Sequence, residues 1–354
     1  MVTSWPLQSS IGSGVAVVAE SIEKAIGRSD IKTEFYSPQN EFSGGYLSQS
    51  YRRILFDLQT SGKIGKAGSG APVITFDFDG FAMPRGVRFA SVIGGIMGDI
   101  VRFERGYIAT VLRLMAKLEK RACQNAEVVF VPSLYTRDKV VSLYGVEQAK
   151  VKVMHNGIFF DEWTTLVDKA EKVDGRPLTV LCVARLYRRK GIDSLISAWS
   201  DVVAKNRKAV LRIVGDGLEG KSLRKLAAKN RLPESIIFEG DVRSRSEMAR
   251  LYANADIFCL PSLHETFGLV YLEAMAAGLP VVALNSTAVP EVVRDGIDGI
   301  LIEPGDTENL AKTISNLLDD TETRNRMGSE AKTRVRENFD WYTVLKPLTE
   351  WLEV

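Results

Sequence analysis

The chain has 354 residues, 45% hydrophobic and 25% charged, with a formal net charge of +2. That balance belongs to an ordered globular protein of about two domains, sets aside disorder and calls for no nucleic-acid partner. Two histidines exclude a histidine-cluster mechanism. Cys123, Cys182 and Cys259 lie far apart in apolar segments, with neither metal-ligand nor redox spacing, as suits a reducing cytoplasm.

In chain order, Met1 to Pro6 has neither a basic start nor an apolar core, so no secretory leader is expected. Residues 1–5 form a short stub of a first strand. The turn Gly12-Ser13-Gly14 then opens an apolar helix over 15–26. Strands are expected over 72–76 and 89–93, a long amphipathic helix near 104–125, and a strand over 128–132. The polar, acidic stretch 156–177 shows no clear periodicity and reads as a linker. Beyond it, strands over 178–184, 210–214, 236–239, 257–260, 280–284 and 299–302 alternate with helical patterns over 191–205, 219–231, 246–254, 268–277 and 307–319. That alternation predicts a parallel, doubly wound α/β sheet, in which ligands bind outside the carboxyl ends of the strands. No apolar run approaches the ~20 residues of a membrane span, and a cytoplasmic protein is expected.

Charge is uneven. Residues 1–160 carry 19 Lys/Arg against 14 Asp/Glu, and the remainder 27 against 30. Part of the basic excess lies in 102–121, where Arg102, Arg105, Arg113, Lys117, Lys120 and Arg121 interleave with Phe103, Tyr107, Leu114 and Leu118. The pattern fits a helix packed on the first sheet, or one lying on an anionic bilayer at the inner membrane face.

The post-strand loops hold the chemistry. In Pro261-Ser-Leu-His-Glu-Thr-Phe-Gly-Leu-Val-Tyr-Leu-Glu-Ala-Met-Ala, Glu265 lies in the loop, Gly268 marks a helix start, and Glu273 shares a face with Leu269, Leu272 and Ala276. A carboxylate on an apolar face is costly unless bonded. A helix N-terminus offers amides to phosphate, and carboxylates accept from ribose or sugar hydroxyls. In Val183-Ala-Arg-Leu-Tyr-Arg-Arg-Lys-Gly191, Arg185 and Lys190 suit a diphosphate leaving group, whereas Arg188 and Arg189 read as solvated charges. The turns Val214-Gly-Asp-Gly217, with Gly215, and Gly240-Asp-Val-Arg243 are weaker signals. Gly12 and Gly14 fit an anion-binding nest but lack a dinucleotide fingerprint. Asp77-Phe-Asp79 has D-x-D spacing and reads as a strand-end turn rather than a metal site. His155 and His264 have no visible partner and read as non-catalytic.

Together these motifs, with Asn156-Gly157 and Phe339-Asp-Trp341, resemble the retaining GT-B glycosyltransferases of family four, the "glycosyl transferases group 1", over roughly 126–345. The resemblance implies two Rossmann-like domains facing a central cleft, with the final helix crossing back to the first. The corresponding boundaries are 1–158, a linker over 159–177, a nucleotide-sugar domain over 178–338 and a returning helix over 339–354. It implies that Arg185 and Lys190 hold the donor diphosphate, that Glu265 contacts the transferred sugar and Glu273 the ribose. Backbone of Phe267, Gly268 and Leu269 lines the phosphates and sugar, and Val242 and Arg243 flank the base. Three features depart from the family. Ala184 replaces a usual glycine, no histidine stands at the 92–95 strand end, where Asp99 is the nearest substitute, and the first strand is clipped.

The expected activity is metal-independent, anomer-retaining transfer of a hexose-type sugar from a UDP- or GDP-linked donor to a glycan, lipid or small-molecule acceptor. No cofactor is expected beyond that co-substrate. The rivals are a sugar-nucleotide epimerase or hydrolase of the same architecture and a non-catalytic nucleotide-sugar-binding module.

Overall fold

Short runs of β-branched and aliphatic residues set the strands, and most strand residues are buried, as befits sheets covered on both faces. The computed structural model describes residues 1–6, 14–28, 31–40, 42, 44–67, 70–232 and 234–353. Two units emerge: Met1–Asn156 with Trp341–Val354, and Gly157–Asp340. Gly12 lies outside the described residues.

The first unit runs α1 (Gly14–Ile26), α2 (Tyr46–Ala67), β1 (Val73–Phe76), β2 (Phe89–Val92), α3 (Met97–Ile100), α4 (Gly106–Asn125), β3 (Val128–Val131), α5 (Leu134–Tyr144) and β4 (Val151–Val153). The strands are parallel in the order β1-β2-β3-β4. Val2 extends the sheet by single parallel bridges to Thr75 and Tyr36, so the first-strand stub takes part as one residue.

The second unit runs α6 (Phe160–Lys169), β5 (Thr179–Val183), α7 (Ile192–Lys205), β6 (Val210–Val214), α8 (Gly220–Lys229), β7 (Ile236–Gly240), α9 (Arg245–Ala253), β8 (Ile257–Leu260), α10 (Leu269–Ala276), β9 (Val281–Leu284), α11 (Val289–Val292), β10 (Gly299–Ile302), α12 (Thr307–Asp319) and α13 (Thr321–Asn338). Its six parallel strands follow the order β7-β6-β5-β8-β9-β10. Numbered within the unit this is 3-2-1-4-5-6, the doubly wound order whose direction reverses between β5 and β8. Ligand chemistry is expected at that switch point.

The chain then returns to the first unit through α14 (Trp341–Val344) and α15 (Lys346–Glu353). The Arg28 guanidinium lies 4.1 Å over the Tyr342 ring. Arg88 Nη2 donates to the Trp351 carbonyl at 2.8 Å, and Trp351 Nε1 donates to Glu127 Oε1 at 2.9 Å. Phe339 and Asp340 stay with the second unit, where Ile158 N donates to the Phe339 carbonyl at 2.9 Å.

The strands and helices expected from periodicity occur within about two residues of their expected ends. The linker expected over 159–177 is corrected. Its first half is α6, because Phe160, Trp163 and Val167 recur at helical spacing among acidic residues and are buried. The sequence reading also gives no α2, α3, α5, β4, α11 or α13. α5 and β4 are short elements that carry little periodic signal, and α2 is patterned in an unusual way. Among the described residues no helix is long and apolar enough to cross a membrane.

Candidate functional site

The site is built in the second unit from loops that follow β5, β6, β8 and β9. After β5 the chain passes Arg185 and Tyr187, makes one turn over Arg188–Lys190, and enters α7 at Gly191, which has φ 65°. A Cβ on Gly191 would lie 2.0 Å from the Pro261 carbonyl oxygen, so only glycine lets the post-β5 and post-β8 loops touch. The Arg189 carbonyl accepts from Leu263 N at 2.8 Å and from Ser262 Oγ at 3.3 Å. These contacts bring Lys190 Nζ within 2.6 Å of Glu265 Oε1.

Glu265 is buried. Burial alone would raise its carboxyl; the charge and hydrogen bond of Lys190, with help from Arg189 and Ser262, outweigh it and hold Glu265 below the ordinary carboxylate range. Thr287, in the loop after β9 and itself at φ 53°, accepts from Glu265 N through Oγ1 at 2.9 Å. The loop after β9 thus fixes the Glu265 backbone. It is one more post-strand loop at the same sheet edge, and that is the signal by which it was findable.

Gly268 ends the loop at φ 95° and caps α10 without a side-chain hydrogen bond to the first turn. A Cβ there would lie 2.4 Å from the fully buried Tyr271 ring, whose hydroxyl donates to the Leu260 carbonyl at 3.0 Å. An uncapped helix start leaves N–H groups of its first turn without intrahelical partners and favours an anion. Leu269 opens the helix half-buried, and Phe267 is buried edge-on against Phe339, ring centroids 5.6 Å apart.

Glu273, one turn further, is half-buried, and its Oε2 accepts from the Tyr252 hydroxyl at 2.9 Å. Burial raises its carboxyl, opposed by that hydrogen bond and by the Arg245 charge. Trp163 Nε1 donates to the Glu273 carbonyl at 2.9 Å, which ties α6 to α10. Neither Tyr252 nor Trp163 is marked by the sequence, since Tyr252 sits in the helical pattern before the motif and Trp163 in the stretch that reads as a linker.

Arg185 is half-buried, with Nη2 3.4 Å from the Tyr187 hydroxyl. The structure separates the two arginines expected to be solvated. Arg188 is exposed beside a cavity of about 360 Å³ that Tyr187, Asp193 and Glu219 also line. Arg189 is half-buried, 5.2 Å over the Tyr187 ring, and its charge bears on Glu265. Gly215 N donates to the Gly240 carbonyl at 2.7 Å, so that turn joins two strand ends. Val242 packs on the core, and exposed Arg243 pairs with Asp241 at 3.0 Å.

The first unit holds the remaining candidates. Gly14 is the first residue of α1. Asp77 and Asp79 begin the turn after β1, where Asp77 Oδ1 accepts from Gly94 N at 3.0 Å and Asp79 Oδ2 from Ser4 N at 2.6 Å. Asp99 accepts from the Tyr135 hydroxyl and pairs with Arg102 at 3.5 Å and Lys139 at 3.8 Å. His155 Nδ1 lies 2.8 Å from the Pro132 carbonyl oxygen, and His264 is buried.

The second unit is thus a doubly wound parallel α/β sheet with a cation–carboxylate pair and an uncapped helix start at its switch point, the place where sheets of this class bind ligands. The profile of the family described as Glycosyl transferases group 1 matches residues 165–334, and that of Glycosyltransferase Family 4 matches residues 82–162. The chain belongs to the glycosyl transferases group 1 and has the GT-B fold. It is 31% identical over 240 residues to the glycogen synthase of Mycobacterium tuberculosis, a match over 68% of this chain and 57% of that protein. It is 30% identical over 256 residues to the GDP-mannose-dependent alpha-(1-6)-phosphatidylinositol monomannoside mannosyltransferase of the same species, over 69% of this chain and 66% of that one. The chain thus spans between about half and two thirds of the length of these curated relatives. Sucrose-phosphate synthase from Thermosynechococcus elongatus shares the fold with a TM-score of 0.80 at 18% identity, covering 99% of this chain and 98% of that one.

Proposed function

We propose that this chain transfers a hexose-type sugar from a nucleoside-diphosphate sugar, UDP- or GDP-linked, to an acceptor held mainly by the first unit, with retention of anomeric configuration and without a metal ion. The first unit makes peripheral contact with an anionic membrane face. One observation carries the reading: the Lys190–Glu265 pair at 2.6 Å stands at the switch point, joining the loop after β5 to the loop that leads to the uncapped start of α10.

The donor diphosphate takes its charge partners from Lys190, Arg185 and the first-turn amides of α10. As the bond from the sugar C1 to the phosphate oxygen breaks, negative charge grows on the departing diphosphate. Groups already aimed there stabilise it more than they stabilise the bound donor, which is what accelerates the step. The acceptor hydroxyl oxygen bonds to C1, and its proton leaves with the diphosphate. Glu265, ionised beside Lys190, accepts from hydroxyls of the transferred sugar, and Glu273 accepts from the ribose. GDP-mannose dependence in one relative's name supports a nucleotide-sugar donor.

The test is a thermal-shift screen against UDP-, GDP- and ADP-sugars, followed by radiolabelled donor offered with and without a panel of glycan and lipid acceptors. Stabilisation by one donor class and acceptor-dependent label transfer are expected. Isomerised or merely hydrolysed donor, unaffected by acceptor, would replace transfer by the epimerase or hydrolase reading. Binding without turnover would replace it by a binding module.

A further inference from the structure

α2 buries several polar side chains and leaves a stripe of large apolar ones exposed. Its buried residues are Ser50, Arg53, Asp57, Thr60 and Ser61. Two of them make polar contacts: Arg53 Nε donates to Ser4 Oγ at 2.9 Å, and Gly80 N donates to Asp57 Oδ1 at 2.8 Å. Tyr46, Ile54, Phe56 and Ile64 pack half-buried on the cores of the first unit, while four other large apolar residues face out, with Leu47 61% exposed, Tyr51 60%, Leu55 37% and Leu58 47%. At 100° per residue these four fall within an arc of about 80°. A contiguous apolar stripe on an exposed helix is a docking face.

The charges around it select the partner. Arg52, Lys63 and Lys66 are exposed in the adjoining arc of α2, about 60° wide. α2 packs along α4, and the six cations of 102–121 are all exposed as well, beside exposed Tyr107 and Leu114. Among the described residues of α2 and 102–121, Glu104 is the one carboxylate not buried, because Asp57 and Glu119 are fully enclosed. An apolar stripe edged by lysine and arginine, with almost no opposing charge, matches the acyl and phosphate layers of an anionic bilayer. Long cationic side chains reach the phosphates while the stripe enters the interface. A second copy of the same face would set cation against cation.

We infer that α2 is a membrane-inserting helix, its Leu47–Tyr51–Leu55–Leu58 stripe entering an anionic lipid interface while the cations of α2 and α4 hold the headgroups. The inference rests on the peripheral membrane contact proposed above and adds which residues enter the bilayer.

The test uses the full chain with phosphatidylcholine vesicles, with and without phosphatidylglycerol, in low salt. Wild type is expected to co-sediment with the anionic vesicles only. A Leu47→Ser/Leu58→Ser variant, its fold checked by circular dichroism, should bind about tenfold or more weakly. An environment-sensitive fluorophore on a Leu58→Cys variant should shift to the blue on binding, since the three native cysteines are buried and leave the new thiol as the labelling site. Unchanged binding of the serine variant together with unshifted probe emission would overturn insertion. If Lys117→Glu/Arg121→Glu then abolished binding, peripheral contact would stand without it. Wild type that sediments with neither vesicle would end both, as would a dimer in solution that the serine variant dissociates.

Discussion

Lys190 and Glu265 lie 75 positions apart in the chain and meet at 2.6 Å between side chains of 13% and 10% exposure. Their meeting follows from the sheet order, which sets β5 beside β8, and from Gly191, whose missing Cβ admits the Pro261 carbonyl. A pair this enclosed is preorganised, since neither group needs to move far to find a charge partner. Its net contribution to stability is small, because desolvation offsets much of the attraction. In the proposed function its value lies in what it would offer a diphosphate and a sugar.

Lys190→Ala should therefore act on turnover. Loss of one preorganised charge partner typically costs on the order of 10²–10³ in rate, so kcat and donor affinity should both fall while circular dichroism stays unchanged. Lys190→Arg should recover part of the loss, because a planar fork differs from a point charge in reach. A folded Lys190→Ala protein within about threefold of wild type in kcat/KM would remove the pair from the mechanism.

Glu273 should bind the ribose as an anion. Glu273→Gln is expected to weaken donor binding about ten- to a hundredfold, the usual span for a lost charge-assisted bond. Burial raises the Glu273 carboxyl, so its anion is lost as pH falls through a value above the ordinary ~4.3. Donor affinity measured calorimetrically should decline in that window for wild type and stay flat there for Glu273→Gln. The sign for stability is opposite. A folded-state pKa above the unfolded one favours the protonated protein, and that contribution is lost as pH rises through the folded value. The Gln variant should accordingly melt no lower than wild type at neutral pH. Equal donor affinity of the two proteins would leave Glu273 a structural bond to Tyr252.

Gly268→Ala should destabilise the second unit. The left-handed backbone alone costs a side chain about 1–2 kcal/mol, and the new Cβ would also overlap the Tyr271 ring. A fall in Tm of at least about 2 °C is expected for a unit of this size, with a larger loss of donor binding. An unchanged melting curve would show that the loop repacks freely.

Activity should survive EDTA. In the proposed function Lys190, Arg185 and the α10 amides would supply the positive charge that a cation otherwise would. Asp79 makes a poor ligand, because burial, resisted by the Arg53 charge, raises its carboxyl above the ordinary range and favours the protonated form. Turnover lost in EDTA and restored by Mn²⁺ would return Asp77 and Asp79 to consideration.

The sequence by itself determined the parallel α/β class and the strand ends, because buried strands read as continuous apolar runs between amphipathic helices whatever their neighbours. It also marked Arg185, Lys190, Glu265 and Glu273, since polar residues at strand ends and on an apolar helix face stand out locally. Only the tertiary structure decided which of them meet. Strand order is a property of the whole sheet, so nothing local to Lys190 or Glu265 announces that β5 and β8 are neighbours. The same holds for Tyr252 beneath Glu273, Thr287 behind Glu265, and α6, whose Trp163 finds its partner on α10. It holds most of all for α2, where residue type alone puts leucine inside and serine outside. Which face is buried depends on what the rest of the unit presents to it, here Ser4, Gly80 and the acidic turn after β1.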